Sequence, residues 1–494
     1  MSGRERLSSL DGIRAPVRLP AYRPSDHGVG IVHIGCGAFH RAHQAVYTDD
    51  ALAQHGGDWR IRGISLRGLD VADALNPQHG LYTLLERDGE GTKARIIGSI
   101  AGVIAAARGR EAALAALAAP AIRIVSLTVT EKAYGIDRSS GAVMPSHPAI
   151  AHDLANPRSP EGALGYIVEA LRLRREAGLP AFTVLCCDNL PENGKLIRSG
   201  TLDYARRIDP DLARWIEANA SFPSTMVDRI TPAASERTLV DAEALTGFSD
   251  HAAIETEPFS QWVIEDDFVA GRPTWEIGGA LLVKDVAPYE NMKLRMLNGT
   301  HSLIAYAGFL SGYRYVRDAM ASPGLTRLVR RHFDAAAATL QPLEGINLRS
   351  YAEDLGRRFE NPAIAHETYQ IAMDGTEKLP QRLLVPAVSA LLDGQNIASF
   401  AFAAASWMRY CLGRDDQGES YALRDPREED IRTALSAASD DATAISRALH
   451  GLDNLFPDEL MASTDWRRAV EMRLERMLRF GMLKTIEDEA ASLN

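Results

Sequence analysis

The sequence predicts an α/β fold class, a mostly parallel sheet wound with helices, followed by a mainly α-helical C-terminal domain. Three features predict it. Short apolar runs alternate with helical patterns through the first part of the 494 residues. The first of those runs ends in a glycine turn, Gly35-Cys36-Gly37, that opens a helix. Beyond about residue 285 the apolar residues recur at helical spacing, with few β-branched runs between them.

In chain order, residues 28–34 (GVGIVHI) read as a short buried strand, 42–54 as a helix and 60–66 as the next strand. Further strands are expected at 94–99, 122–129 and 181–187, with helices at 109–118 and 161–177. Strands that alternate with helices make βαβ units, and such units build a parallel sheet. The later segments 288–311, 324–340, 363–374, 384–393, 397–412, 427–437, 441–450 and 466–486 all read as helices. The expected domains are therefore 1–285, an α/β unit, and 286–494, mainly helical. The stretch Val286–Pro288 is the expected junction.

Hydrophobic residues make up 46% of the chain and charged residues 24%, the balance of an ordinary globular protein. A net charge of −11 opposes nucleic-acid binding by phosphate neutralisation, but a few local cations can still dominate one pocket. No uncharged apolar run reaches the ~20 residues of a membrane helix, and the first residues lack a signal-peptide core. Cys36, Cys186, Cys187 and Cys411 form no CxxC pair, so neither a metal knuckle nor a disulfide framework is expected. The expected setting is cytoplasmic, with a small molecule as partner and no metal; the oligomeric state stays open, a monomer among the options.

A strand, a glycine turn and a helix in that order let backbone N–H groups approach a pyrophosphate, and the positive helix end adds attraction. Gly35 and Gly37 stand in that context. His40 occupies the place of the third glycine in the common GxGxxG pattern, so strand and helix must pack differently here. After the second strand comes Arg67-Gly68-Leu69-Asp70. Asp70 suits the ribose hydroxyl of NAD, and Arg67 would suit the 2′-phosphate of NADP.

Segment 288–303 (PYENMKLRMLNGTHSL) reads as a buried helix opened by Pro288. At ~100° per residue, Lys293, His301 and Asn298 project near ~0°, ~80° and ~140°, and Arg295 near ~200°. A ketone–alcohol interconversion needs a proton donor/acceptor, which a desolvated lysine can supply. It also needs N–H donors for the developing oxyanion, which amides can supply. Asn189 offers a second amide at the carboxyl end of strand 181–187, where open α/β sheets hold ligands. Taken singly, His301 reads as a core histidine, Asn189 as a turn former and Lys293 as a solvated charge. The chemistry rests on their combination. Tyr289-x-x-x-Lys293 matches a short-chain dehydrogenase spacing, but in a chain about twice as long and outside the nucleotide-binding region.

The motifs IVHIGCGAFHRAHQ (31–44), SLTVTE (126–131), CDNLPENG (187–194), MVDRITP (226–232), EPFSQWVIED (257–266) and MKLRMLNGTHS (292–302) resemble, in order, the mannitol dehydrogenase family. The resemblance spans nearly the whole chain. It implies an N-terminal Rossmann-type domain, a helical C-terminal domain, NAD as cofactor and no metal. It further implies Lys293 as general acid/base, Asn189 and Asn298 as the oxyanion pocket, and His301 orienting the substrate. Gly35, Gly37, Ala38 and Phe39 would belong to the NAD fingerprint, and Asp228 to the substrate site. The family often has two adjacent acidic residues after the second strand, whereas here Leu69 precedes Asp70, which keeps NADP open.

Within the family, TVTEKAY (128–134), GYIVEALRLRRE (165–176) and QIAMDGTEKLPQRLL (370–384) look most like the fructuronate-reducing branch. That branch implies a sugar-acid substrate, its carboxylate met by Arg295, Lys378 and Arg382. A neutral polyol, as in the mannitol-oxidising branch, is the alternative. A non-catalytic NAD-sensing regulator is the alternative of another class, and such a regulator would not need a proton-transfer lysine.

Overall fold

The computed structural model describes residues 4–436, 438 and 441–493, so residue 437, the last of the helix expected at 427–437, lies outside them. The chain divides into two compact units, Met1–Ala287 and Pro288–Asn494.

In the first unit the strands β1 (Val29–Ile34), β2 (Arg60–Ser65), β3 (Tyr82–Asp88), β4 (Gly91–Ile97), β5 (Ile100–Ala105), β6 (Ile124–Leu127) and β7 (Thr183–Cys186) follow in order. Five of them form one sheet in the order β5-β2-β1-β6-β7, with every neighbouring pair parallel. This is the α/β class the sequence predicts. Alternate residues feed opposite faces. Val32, Ile34, Val125 and Leu127 pack with the helix Ala163–Glu176, while Ile31, Ile61, Ile124 and Leu185 enter a second core. Strand order reverses between β1 and β6, and the crevice at their carboxyl ends is where such sheets hold ligands.

The strand expected at 94–99 is the end of β4 and the turn after it, and β5 begins only at Ile100. Gly98 N donates to Asp49 Oδ1 (2.9 Å) and Ser99 Oγ to the Ala45 carbonyl (2.7 Å), which turns the chain between β4 and β5. β4 pairs antiparallel with β3, and β3 pairs with β9 (Ile254–Thr256) in a separate sheet. A third sheet joins β8 (Thr225–Asp228), β10 (Gln261–Glu265) and β11 (Leu281–Val283).

The missing third glycine has a structural answer. His33 on β1 and His40 on the helix Ala38–Ala42 are both buried and stack with ring centroids 3.4 Å apart. Two flat imidazoles thus bring strand and helix together where the common pattern uses a glycine. His33 is hydrogen-bonded to Ser126 Oγ and Thr128 Oγ1, each at 2.8 Å.

Among the described residues, the regular elements of the second unit are all helices, apart from isolated bridges. The segment expected as one helix at 466–486 is two, Thr464–Phe480 and Met482–Ala491, broken at Gly481 with φ +80°. The helix expected at 363–374 begins only at Thr368, beyond Pro362, and Leu348–Phe359 is a helix the sequence reading lacks. Where 288–311 was expected as one α-helix, Lys293–Asn298 is a π turn set between Ala287–Met292 and Gly299–Leu310. No described helix is long and apolar enough to cross a membrane.

Buried histidines give the fold a pH dependence of defined sign. Burial lowers the pKa of His332 to about 3 from an ordinary 6.5, and Arg331 beside it acts in the same sense. The unfolded chain therefore takes up a proton near pH 6.5, and the folded chain does so only near 3. Stability is lost as pH falls through that window, by about 1.4 kcal/mol per pH unit where the effect is fully developed. Thermal midpoints measured from pH 7 to 5 should fall less steeply in His332→Asn than in the unaltered protein. Parallel curves would mean that His332 accepts its proton equally well in both states.

Candidate active site

In the first unit a cavity of about 670 Å³ opens at the carboxyl ends of β1, β2 and β6, lined among others by Gly35, Gly37, Arg67, Val71, Val129 and Lys132. Gly35 has φ +96°, and a Cβ there would lie 2.2 Å from the Thr128 carbonyl oxygen. Any other residue would force β1 and β6 apart. A Cβ on Gly37 would meet nothing nearer than Gly35 O at 3.8 Å, so space is open beside that backbone. Gly37 also precedes the helix Ala38–Ala42, whose first turn has no side-chain cap. An open glycine backbone, an uncapped helix start and two cations on the wall fit the phosphates of a dinucleotide. Phe39 packs against His43 at 5.1 Å and so contributes through the helix's seating.

Asp70 is placed differently from the expectation. Ser65 Oγ donates to the Gly68 carbonyl (2.6 Å), which tightens the loop after β2. Arg67 and Gly68 then line the cavity, while Asp70 is exposed as the first residue of the helix Asp70–Leu75 and is not part of the lining. A carboxylate there complements the helix N-terminus.

The turn after β7 shows what each residue of its motif does. Asn193 Nδ2 donates to the carbonyls of Asp188 (3.0 Å) and Thr225 (2.9 Å), and its Oδ1 accepts from Thr225 N (2.9 Å). A Cβ at Gly194 would lie 2.4 Å from Phe222 O, so only glycine permits this approach to the start of β8. Asp188 accepts from the backbone of Val129 and Thr130, each at 3.1 Å, and from Tyr134 Oη at 2.6 Å. Between these anchors Asn189 is exposed at the carboxyl end of β7. Asp228 ends β8, opposite Gln261, and is buried.

In the second unit the π turn decides the geometry. Its i→i+5 bonding places residues five apart over one another, whereas an α-helix would separate them by ~140°. Lys293 and Asn298, five apart, are therefore brought toward one face, closer than the α-helical projection expects. Such turns recur at functional sites. Lys293 and His301 are buried. A second π turn, Pro380–Leu384, follows the short helix Gly375–Leu379 and carries Arg382. Pro386 has no N–H to give the carbonyl of Arg382, four residues before it, which accounts for the irregularity. The two π turns pack together, and a Cβ on Gly299 would sit 2.7 Å from Arg382 O. The glycine of the Asn298-Gly299 pair thus serves close approach.

Around His301 the unit gathers cations. Burial holds the His301 imidazole well below its ordinary pKa, with His366, Arg358 and Arg382 pushing the same way. Its ring lies 5.3 Å from His366 and 4.5 Å from Phe359. Burial, and then Arg382, lowers Lys378, whose Nζ donates to the Met373 carbonyl (2.5 Å) and lies 3.5 Å from Asp374. Burial likewise lowers Arg382, which reaches Ser302 Oγ at 3.5 Å. Sequence reasoning missed Arg358 and His366. Arg358 lies on the amphipathic helix Leu348–Phe359, and recognising that helix would have been the signal.

Arg295 does not join this group as expected. Its Nη1 donates to the Thr339 carbonyl (2.7 Å) at the C-terminal end of the helix Pro323–Ala338. The π turn invalidates the α-helical angle that placed it beside Asn298, and it caps a helix instead. Among the described residues, no three His, Cys, Asp or Glu side chains are grouped to hold a metal ion.

A parallel five-stranded sheet with a glycine-turn crevice, followed by a helical unit bearing a buried lysine, defines a dinucleotide-type oxidoreductase architecture. Comparison with known proteins makes the assignment specific. Residues 29–277 match the mannitol dehydrogenase Rossmann domain and residues 285–478 the mannitol dehydrogenase C-terminal domain. The chain belongs to the mannitol dehydrogenase family and is an oxidoreductase acting on CH–OH groups. It is 46% identical over 472 residues to the D-mannonate oxidoreductase of Escherichia coli K12, covering 94% of this chain and 97% of that one. A Pseudomonas fluorescens mannitol 2-dehydrogenase, solved as a ternary complex with NAD and D-mannitol, is 39% identical, with a TM-score of 0.81 and 99% of both chains covered. A substrate-free D-sorbitol dehydrogenase is 35% identical, with a TM-score of 0.91, covering 98% of this chain and 100% of that one.

Proposed function

We propose that this chain is an NAD(H)-dependent reductase of a keto sugar acid, interconverting D-fructuronate and D-mannonate. One observation carries the substrate class: Arg358 and Arg382 act on a neutral, buried His301, and Lys378 acts on His366, whose ring packs against His301. Each of Lys378, Arg382 and His301 has its charged form disfavoured there, and Asp374 offsets only part of the charge. A carboxylate would be stabilised by all of these groups, and an Arg fork can hold it through two charge-assisted bonds. The 46% identity to a D-mannonate oxidoreductase supports the same reading.

In this proposal the first unit holds NAD through Gly35, Gly37, Ala38 and Phe39, and the second carries the chemistry. NADH, when bound, supplies the hydride that reduces the carbonyl carbon. Lys293 gives the proton to the carbonyl oxygen and takes it back in the oxidative direction. The amide N–H of Asn298 holds that oxygen as its negative charge grows, the role the family resemblance gives also to Asn189. His301 and Asp228 orient the substrate hydroxyls. No metal is needed for these steps, so activity should survive EDTA.

A neutral polyol is the second reading, favoured by the relative solved with D-mannitol. For the cofactor, Arg67 on the cavity wall makes NADP the alternative to NAD. A panel of D-fructuronate, D-tagaturonate, D-fructose and D-xylulose, each with NADH and NADPH, tests both choices. The expected result is the highest kcat/KM for D-fructuronate with NADH. Preference for D-fructose would replace the sugar-acid reading, and preference for NADPH would replace the cofactor reading.

A further inference from the structure

The loop that follows β6 holds a residue in a conformation its side chain disfavours. Thr130 has φ +75°, in the left-handed region that a β-branched residue rarely adopts. Thr128, Val129 and Thr130 all line the cavity that also contains Gly35 and Gly37. The strain is thus stored where the cofactor reading puts the dinucleotide.

What holds the loop is the carboxylate of Asp188. Its Oδ2 accepts from Val129 N and its Oδ1 from Thr130 N, both at 3.1 Å, so one side chain grips two successive amides. Tyr134 Oη, buried, donates to Oδ2 at 2.6 Å and fixes the carboxylate from the other side. Thr128 Oγ1 in turn donates to the Gly35 carbonyl at 2.8 Å, which ties the loop to the glycine turn. Asp188 immediately precedes Asn189, so the same residue fixes the start of the turn that presents that amide. Burial raises the Asp188 pKa, and the hydrogen bonds from Tyr134, Thr130 and Val129 oppose that rise. The fold tolerates a desolvated carboxyl at this point.

We propose that Asp188 is a positioning residue that clamps Thr130 in its left-handed conformation and so presets the 128–130 loop to receive the dinucleotide. The proposal rests on the reading that the first unit binds NAD(H). It implies that the clamp matters because Thr130 resists the conformation, and that it matters less when the residue at that position does not resist.

A double-mutant cycle read by NADH binding tests this, using fluorescence titration alongside thermal midpoints. Asp188→Asn keeps one acceptor oxygen and places an NH₂ donor against a backbone or hydroxyl donor. In the native background it should weaken NADH binding by about tenfold or more. In the Thr130→Gly background, where the left-handed conformation is unstrained, the same change should weaken binding no more than about threefold. A purely structural Asp188 would lower the thermal midpoint equally in both backgrounds and leave the affinity of the folded protein unchanged. That result, or an equal loss of affinity in both backgrounds, would overturn the proposal. Should Asp188→Asn not fold, Tyr134→Phe removes one of the three bonds without changing charge. It should give a smaller weakening that Thr130→Gly again cancels, and an undiminished loss would count against the clamp. If the unaltered chain binds neither NADH nor NADPH, the cofactor reading itself fails.

Discussion

Lys293→Ala should lower kcat in both directions by about 10²–10⁴-fold, the range that general acid–base catalysis supplies. Lys293 is buried and opens the π turn that ends at Asn298, so one short element carries both the proton source and an N–H donor. NADH affinity should be nearly unchanged, because the glycine-turn cavity is built wholly from first-unit residues. The pH profile gives a second, independent reading. Ketone reduction needs the ammonium and alcohol oxidation the free amine, so the two directions should respond to pH in opposite senses. Both limbs should disappear in the variant. Small primary amines added to Lys293→Ala should restore part of the rate, and only where the cavity left by the side chain admits them. Near-normal turnover in Lys293→Ala would remove the assignment.

Four strands of the parallel sheet were legible as short stretches rich in apolar residues, and most of the second half from its helical period. What escaped was local. The strand β5 contains Ala101, Gly102 and Ala105, small residues that match neither a β-branched nor an aromatic pattern, so it did not stand out beside β4. Lys293, Asn298 and His301 could be chosen from their chemistry, but not placed correctly by an α-helical projection. The π turn changes every angle downstream of it, and only hydrogen-bond register reveals it. For the same reason Arg295 could look like a neighbour of Asn298 while its guanidinium is committed to Thr339. Asp70 was plausible by its distance after β2, yet in the loop closed by Ser65 and Gly68 it is Arg67, itself exposed, that borders the cavity. Arg358 and His366 were invisible because they belong to no motif, and only tertiary packing brings them to His301.

Arg382→Ala should cut kcat/KM for D-fructuronate by about 10–100-fold, and that for D-fructose by no more than about threefold. Hydrogen bonds to a charged group contribute about 1.5–3 kcal/mol each. A lost guanidinium–carboxylate contact of that size corresponds to roughly one to two powers of ten. A neutral hydroxymethyl end cannot draw on that interaction, so its rate should hardly move. Stability gives the control. Burial disfavours the Arg382 charge while Tyr306 and Asp374 favour it, Arg382 in turn disfavours the charged forms of His301 and Lys378, and the bond it loses to Ser302 is long, at 3.5 Å. The thermal midpoint should therefore hold while specificity changes. Arg382→Lys should recover only part of the loss, because an ammonium supplies the charge without the planar fork. Arg295→Ala makes the contrast sharp, since removing a helix cap should affect both substrates alike. Equal losses on both substrates in Arg382→Ala would separate the cationic cluster from carboxylate recognition, and the substrate class would then pass to the neutral polyols.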